Sequence, residues 1–301
     1  MSVQGNIHKY SLIIEKIERH QFPSKKEIHD FLFDQGFENH IRTTDRAIEE
    51  LRNEFGVAIV YDAYKEGYYI DKEKSDNFQS LLNLIEISVT AEVFGEAVKE
   101  DQNKHLEYIS FENQGSVKGI NHLKPILKAI KAHRKISFSH YNFHSKKNKN
   151  YNLKPYLLKE YQSRWYVVGL IGPLKEFRTF GIDRIDHLIV KPDTFTPEAD
   201  LNPLDSFQHI IGLTYSLGKR EKVVLSFTPT QGQYIKSLPL HASQKELIDN
   251  EEEYRIELDI IPNFEFQQQI LLHGDAVKVL APESLVVEIK GRIDRMQKRY
   301  K

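Results

Sequence analysis

The spacing of apolar residues changes once along this chain, near residue 135, and that change limits the folds open to it. Before it, apolar positions recur every three or four residues, as in Leu12, Ile13 and Ile17 or in Phe78, Leu81, Leu82, Ile85 and Val89. That is the period of one helix face. After it come short runs of strand-forming residues, "KISFSHY", "YNLKPYLLKEY", "SRWYVVGLI", "FRTFGIDRI" and "HLIVKPDTF", divided by turn-rich stretches such as "NFHSKKNKN" and "GPLKE". The chain reads as multidomain α+β. At 301 residues it is long enough for two or three packed domains, each with its own core.

The front of the chain divides further. A helix around Leu12–Ile17 is followed by "HQFPS" and a second helix, "KKEIHDFLFDQG", with Ser24 as its cap and Gly36 at its end. A third, "HIRTTDRAIEELRNEFG", is expected to start at a cap near Thr43 or Thr44 and to close at Gly56. Two strand-like runs follow, "VAIVYD" and "GYYID". Three helices and a hairpin make a winged helix-turn-helix pattern over residues 1–71. Residues 72–134 read as a helical connector whose signal fades through "KEDQNKH" and returns in "HLKPILKAIKAH". The close-set strands of residues 135–195 suggest a small sheet or barrel. Residues 196–301 alternate strands and helices and read as an α+β domain, ending in a helix with Leu285, Ile289, Ile293 and Met296 on one stripe.

Composition narrows the chemistry. With no cysteine there is no disulfide, thiolate metal site or cysteine nucleophile, which fits a reducing cytoplasm. The opening "MSVQGNIHKY" has no apolar signal core, and "WYVVGLI" is far short of the roughly 20 residues that cross a bilayer, so a cytoplasmic protein without a membrane partner is expected. A formal net charge of -1 gives no global pointer to nucleic acid. Glycine-rich phosphate loop, nucleophile elbow and paired metal-spaced histidines are all missing, so the reading is no enzyme, no metal and no cofactor. The "DRIDH" stretch, with His140 and His187, is read as structural.

Local constellations carry the functional signal. On the third helix Arg42, Arg46 and Asn53 share one stripe, while Ile48, Leu51 and Phe55 lie opposite. The apolar stripe docks; Arg42, Thr43, Thr44 and Arg46 are the expected DNA contacts, guanidinium to guanine and hydroxyl to phosphate. More acidic than basic side chains in residues 1–71 argue against strong nonspecific affinity. Alternation in "SRWYVVGL" puts Arg164, Tyr166 and Val168 on one strand face and Trp165, Val167 and Gly169 on the other. Trp165, the sole tryptophan, is expected in the core. Tyr141, Tyr166, Arg178 and Arg184, near the basic "HSKKNKN" loop, supply aromatic faces and guanidinium forks suited to a phosphate-bearing ligand.

Taken together, "RWYVVG", the tyrosine in "SFSHYNF", the proline in "LKPYLLKE" and "FRTFGIDRI" resemble the WYL domain over about residues 135–195. "IRTTDRAIEELRNEFG" with "GYYI" resembles the winged helix that precedes it in bacterial transcriptional regulators, and the segment from Lys222 onward resembles their C-terminal extension. The resemblance implies a small Sm-like or SH3-like barrel that senses a nucleotide or single-stranded nucleic acid. It places the ligand contacts at Tyr141, Tyr166, Arg178, Asp183 and Arg184, with Trp165 and Pro155 structural. Three positions depart from the family pattern: Val167 for the leucine of the triplet, Gly181 where arginine is common, and Ala47 where aspartate is common. The expectation is a homodimeric, ligand-responsive regulator of double-stranded operator DNA. The alternatives are a nucleic-acid-binding module without ligand control and an enzyme.

Overall fold

The structure is a computed structural model of the whole chain. It describes all residues except 1, 2, 21, 38, 39, 76, 77, 101–117, 144, 174, 216 and 217, and only the backbone of residues 3–5 and 93–100. The chain forms two compact units, Met1–Glu112 and Asn113–Lys301.

The first unit holds the expected three helices and hairpin: α1 (Val3–Arg19), α2 (Lys25–Asp34), α3 (Ile41–Asn53), β1 (Ile59–Asp62) and β2 (Gly67–Ile70), followed by α4 (Phe78–Glu100). Ser24 caps α2 reciprocally: its hydroxyl accepts from the Glu27 amide and its own amide donates to the Glu27 carboxylate. The start of α3 differs from expectation. It begins at Ile41 behind His40, because the Thr43 amide already bonds the His40 carbonyl and Thr44 turns inward. Ile13, Ile28, Leu32, Ile48 and Leu51 form the core, and Phe78, Leu81 and Ile85 of α4 are buried in it. The helix read as the start of a connector is therefore part of this unit's core. Most of the "KEDQNKH" run, from Asp101, lies outside the described residues.

The second unit opens with α5 (Ile120–Lys131), then β3 (Arg134–Asn142), β4 (Lys147–Tyr161), β5 (Arg164–Leu170), β6 (Phe177–Gly181), one 3-10 turn (Ile182–Arg184) and β7 (Ile185–Thr194). Ile126 and Ala129 of α5 share a core with Ile136, Phe138, Leu153, Val167, Phe180, Ile182 and Ile185, so α5 belongs with the sheet. The strands form one antiparallel sheet in the order β6-β5-β4-β3-β7. Strand β4 serves both halves: its first part pairs with β3, its second with β5, with an irregularity between Pro155 and Leu157. The expected closed barrel is not formed by ladders among the described residues. The turn at Ile182–Arg184 buries Ile182 and delivers β7 to the free side of β3, leaving β6 and β7 as the two edges.

Trp165 is a second correction, since it is 38% exposed. Core burial in β5 starts only at Val167 and then covers both faces: Val167 joins the α5 side, while Val168 and Leu170 pack with Phe177, Phe207 and Ile210 on the other. Trp165 shares the Val167 face but sits two residues nearer the β4–β5 turn, opposite Glu160 and past the edge of that core. Alternation identified its face and not the end of the core along the strand.

A short helix α6 (Pro203–Phe207) leads to β8 (Glu221–Phe227), α7 (Pro229–Ser237), β9 (Lys245–Asp249), β10 (Tyr254–Ile260), α8 (Phe264–Leu272), β11 (Val277–Ala281) and α9 (Glu283–Arg299). The sheet order β11-β8-β10-β9, all antiparallel, is that of a split βαβ unit with its helices on one face. Strand β10 shows why: Tyr254, Ile256, Leu258 and Ile260 are buried, while Arg255, Glu257 and Asp259 alternate on the other face. On α9 the predicted stripe divides, with Leu285 and Ile289 buried and Ile293 and Met296 exposed. Among the described residues no helix is long and apolar enough to cross a membrane.

Candidate nucleic-acid interface

Two surfaces collect the residues singled out in the sequence. The first is the outer face of α3. Ala47, Ile48 and Leu51 hold the helix to its unit, which leaves Arg42, Arg46, Glu49 and Asn53 facing outward at helical spacing. Arg46 Nε donates to Glu50 at 2.9 Å while the arginine side chain remains 79% exposed. Exposed pairs of this kind contribute about 0–1 kcal/mol, so the guanidinium is free to exchange partners. Glu50 is fixed from behind by the Tyr10 hydroxyl at 2.6 Å. Thr43 is half-buried. Thr44 is buried, its hydroxyl 3.3 Å from His29 Nδ1, so it packs the helix and does not join the exposed stripe. The β1–β2 turn beside this unit's helices exposes Tyr64 almost fully, with Asp62 accepting from the Tyr64 and Lys65 amides to shape the tip.

The second surface is at the end of the five-stranded sheet. The turn after β6 brings Asp183 and Arg184 beside Arg164 and Tyr166 of β5. Arg164 and Arg184 each lie 3.9 Å from the Asp183 carboxylate, one to each oxygen. These are long contacts for charged pairs, so neither guanidinium fork is consumed by the carboxylate. Arg184 also lies over the Phe143 ring, 4.7 Å from its centre, and Phe143 meets Tyr141 edge-on at 5.7 Å. Two guanidinium groups, one carboxylate and three aromatic rings thus converge. Burial pushes the Tyr166 hydroxyl above its ordinary range, so it stays a protonated donor at neutral pH.

Gly181 explains how the cluster fits. It pairs across the ladder with Tyr166, and a side chain there would occupy the space of its neighbours: an added methyl would lie 2.6 Å from Asp183 Oδ1 and 3.0 Å from Arg184 Nε. The departure from the family's arginine therefore makes room for Arg184. Arg178 is placed elsewhere. It is exposed on β6 opposite Gly169, three residues from Gly181 and on the other face of the ladder from Tyr166, so it does not join the other four expected ligand residues. Two members escaped the expected ligand set, Arg164 and Phe143; the alternation that put Arg164 beside Tyr166, and the two-residue step from Tyr141 to Phe143, were the available signals.

His140 is buried beneath this cluster among Phe138, Tyr151 and Phe180, with its Nε2 unpartnered. Burial, then the Arg184 guanidinium, pushes it down to about 4, with Asp183 pulling the other way. It is neutral at physiological pH. His187, in a positive-φ conformation on β7, is not part of the group. Among the described residues no cluster of three or more histidine or acidic groups is arranged to hold a metal.

Comparison with known proteins agrees with this layout. The family model for the WYL domain matches residues 121–190, and that for the WCX domain matches residues 219–297. The WYL match begins inside α5, in keeping with that helix's place in the sheet's core. No curated protein matches the sequence. Two solved structures are similar at low identity. One is proteasome accessory factor B/C (PafBC) of Arthrobacter aurescens, at 16% identity and a TM-score of 0.34 over 96% of this chain. The other is described as a CRISPR Cas-related protein, at 14% identity and a TM-score of 0.40 over 99% of this chain and 85% of that one. The chain spans 46% of the length of the PafBC chain. The matches give the chain a WYL domain over the five-stranded sheet and its leading helix, and a WCX domain over the split βαβ unit that follows.

Proposed function

We propose that this chain is a transcriptional regulator that binds double-stranded operator DNA through a winged helix at its front and responds to a phosphate-bearing ligand at the WYL sheet. The observation that carries the ligand half is the Arg164–Asp183–Arg184 group, in which two guanidinium forks stand within reach of one carboxylate at 3.9 Å with Phe143, Tyr141 and Tyr166 alongside. Forked donors suit phosphate and aromatic faces suit a base, so a nucleotide or a short single strand meets both demands. Asp183 keeps the arginines splayed and offers an acceptor to a base edge or ribose hydroxyl. Arg178, on the opposite face of the ladder, takes no part in this reading.

The DNA half rests on the outward stripe of α3, where Arg42 and Arg46 read base edges and Thr43 bonds phosphate. A homodimer would present two such helices to half-sites about one DNA turn apart, and the ligand would shift the population between matched and mismatched spacings. The sole tryptophan supplies the readout: Trp165 lies between Arg164 and Tyr166 along β5 and is partly exposed. Titration of the full chain with a single-stranded oligonucleotide should change its fluorescence, with an affinity that falls as salt rises. An Arg164→Ala, Arg184→Ala variant should lose that response. A parent protein whose emission and mobility ignore mononucleotides and oligonucleotides alike would refute the ligand reading. Arg46→Ala should keep its melting curve and lose on the order of 1 to 3 kcal/mol of affinity for a DNA site obtained by binding selection. Unchanged affinity would remove α3 from the readout.

A further inference from the structure

The WCX sheet, together with the segment before it, lines a cavity that the regulatory reading does not use. It lies on the polar face of its sheet, away from the helices, with a volume of about 370 Å³. Four separate segments reach it: Gln208 and His209 after α6, Arg220 and Lys222 at the start of β8, His241 and Ser243 ahead of β9, and Glu257 and Asp259 on β10.

The walls are fixed by hydrogen bonds. Ser243 Oγ accepts from the Asp259 amide at 2.9 Å, and the Gln244 side chain accepts from the Leu240 amide while donating to the Ile235 carbonyl, so the segment before β9 is fastened at both ends. Both histidines have their protons assigned by what they face. His241 Nε2 sits 2.8 Å from the Gln208 carbonyl and must donate, leaving Nδ1 to accept from Ser243. Burial pushes His241 below its ordinary range, so it is a neutral wall. His209 Nδ1 faces the Asp259 carbonyl at 3.2 Å and donates, so Nε2 is the ring atom left for a ligand.

The charges do not cancel. Arg220 holds Asp259 with two parallel hydrogen bonds, and Lys222 lies 3.2 Å from Glu257. Both carboxylates are thereby occupied. Lys245 also lines the cavity, forms no ion pair among the described residues, and lies in register with Glu257. Three cations against two carboxylates leave one positive charge in excess at a concave surface. A cavity of this volume falls within the range that holds a small molecule.

We propose that this cavity is a second ligand site, for a small organic anion bearing a carboxylate or phosphate group, held by Lys245 and Lys222, with His209 Nε2 accepting a hydrogen bond from a hydroxyl of the ligand. It is separate in residues and chemistry from the Arg164–Arg184 cluster, which offers tyrosine and phenylalanine rings where this one has none. Calorimetric titration of the full chain at low salt, with citrate in one arm and inorganic phosphate in the other, tests it. The parent should bind at least one probe, and the arm that binds identifies the acid group. Lys245→Ala should weaken that binding at least about tenfold, whereas Arg184→Ala should leave it unchanged. Lys245 is exposed and its side chain forms no ion pair among the described residues, so a matching thermal melt is expected for its variant. Absence of binding in both arms would overturn the proposal. So would a Lys245→Ala variant, together with Lys222→Ala, that binds as the parent does. Loss of binding in Arg184→Ala alone would assign the heat to the WYL cluster instead.

Discussion

Gly181→Ala separates the stability of the WYL sheet from the architecture of its anion cluster. The backbone there is extended with φ of -64°, which alanine adopts freely, so no backbone strain follows. The new methyl would stand 2.6 Å from Asp183 Oδ1 and 3.0 Å from Arg184 Nε and Nη2, against about 3.5 Å or more for ordinary contact. Both groups are ends of flexible side chains, so they swing away by about an ångström and the fold survives. Stability should change by less than about 1 kcal/mol, because the displaced contacts are offset by the entropy that alanine removes from the unfolded chain. Ligand affinity should not survive so well. A charge-assisted hydrogen bond contributes about 1.5–3 kcal/mol, so misplacing Arg184 should cost roughly 10- to 100-fold. Gly119→Ala is the comparison, since Gly119 has φ of 82° and its added methyl would meet the Ile182 carbonyl oxygen at 2.4 Å, which is backbone and cannot swing away. That variant should lose more than about 1 kcal/mol. Urea melts and Trp165 fluorescence titrations with an oligonucleotide measure the two quantities. If Gly181→Ala binds like the parent, or melts as low as Gly119→Ala, the argument from space around Gly181 is wrong.

Other outcomes follow from burial. Trp165→Ala should cost on the order of 1 kcal/mol, well below the 3–5 kcal/mol of a buried tryptophan, and acrylamide should quench the parent's emission; a melt lowered by the larger amount would return Trp165 to the core. His140 is held at about 4 in the folded chain and sits near 6.5 when unfolded, so only the unfolded form takes up its proton between those values. Its effect is absent above about pH 6.5 and grows to a loss of about 2–3 kcal/mol as pH falls toward 4. His140→Phe should therefore lose less stability than the parent between pH 7 and pH 4.5, and equal losses in urea melts would refute the assignment. Leu258→Ala, in a fully buried position of β10, should cost about 2–5 kcal/mol by cavity formation; a loss below 1 kcal/mol would show that the WCX core collapses around it.

Periodicity made the element order legible from the sequence, because each helix and strand buries one face and the buried positions repeat. Strand β10 follows the pattern residue by residue, and helix α3 does so except at Thr44, which is buried. What alternation could not supply was the extent of cover. Nothing in "SRWYVVGL" announces that Val168 would be buried by Phe207 and Ile210, some forty residues later, or that cover would stop short of Trp165. The same limit affected the connector. Helices α4 and α5 have helical periods in either role, and only their packing assigns one to each unit. In the ligand cluster the types of residue were readable and their convergence was not: Arg178 and Arg184 look alike in "FRTFGIDR", yet the 3-10 turn carries one to Asp183 and leaves the other on the opposite face.

The second cover on β5 and β6 bears on how this kind of protein can be cut and recombined. Val168, Leu170 and Phe177 are sealed by Phe207, Ile210 and Tyr215, and the seal is stitched by Thr179 donating to the Leu213 carbonyl and by the Tyr156 hydroxyl accepting from the Glu198 amide. A fragment ending at residue 195, where the strands end, would lay those side chains open as one apolar patch and invite aggregation. The strip from Glu198 to Tyr215 thus travels with the WYL sheet although it lies beyond residues 121–190. The Asn263 side chain donates to the Ile211 and Thr214 carbonyls, so the strip is bonded to the WCX domain as well. Exchange between such proteins would succeed when the WYL and WCX domains move together with the strip, and fail at the junction the strand boundaries suggest.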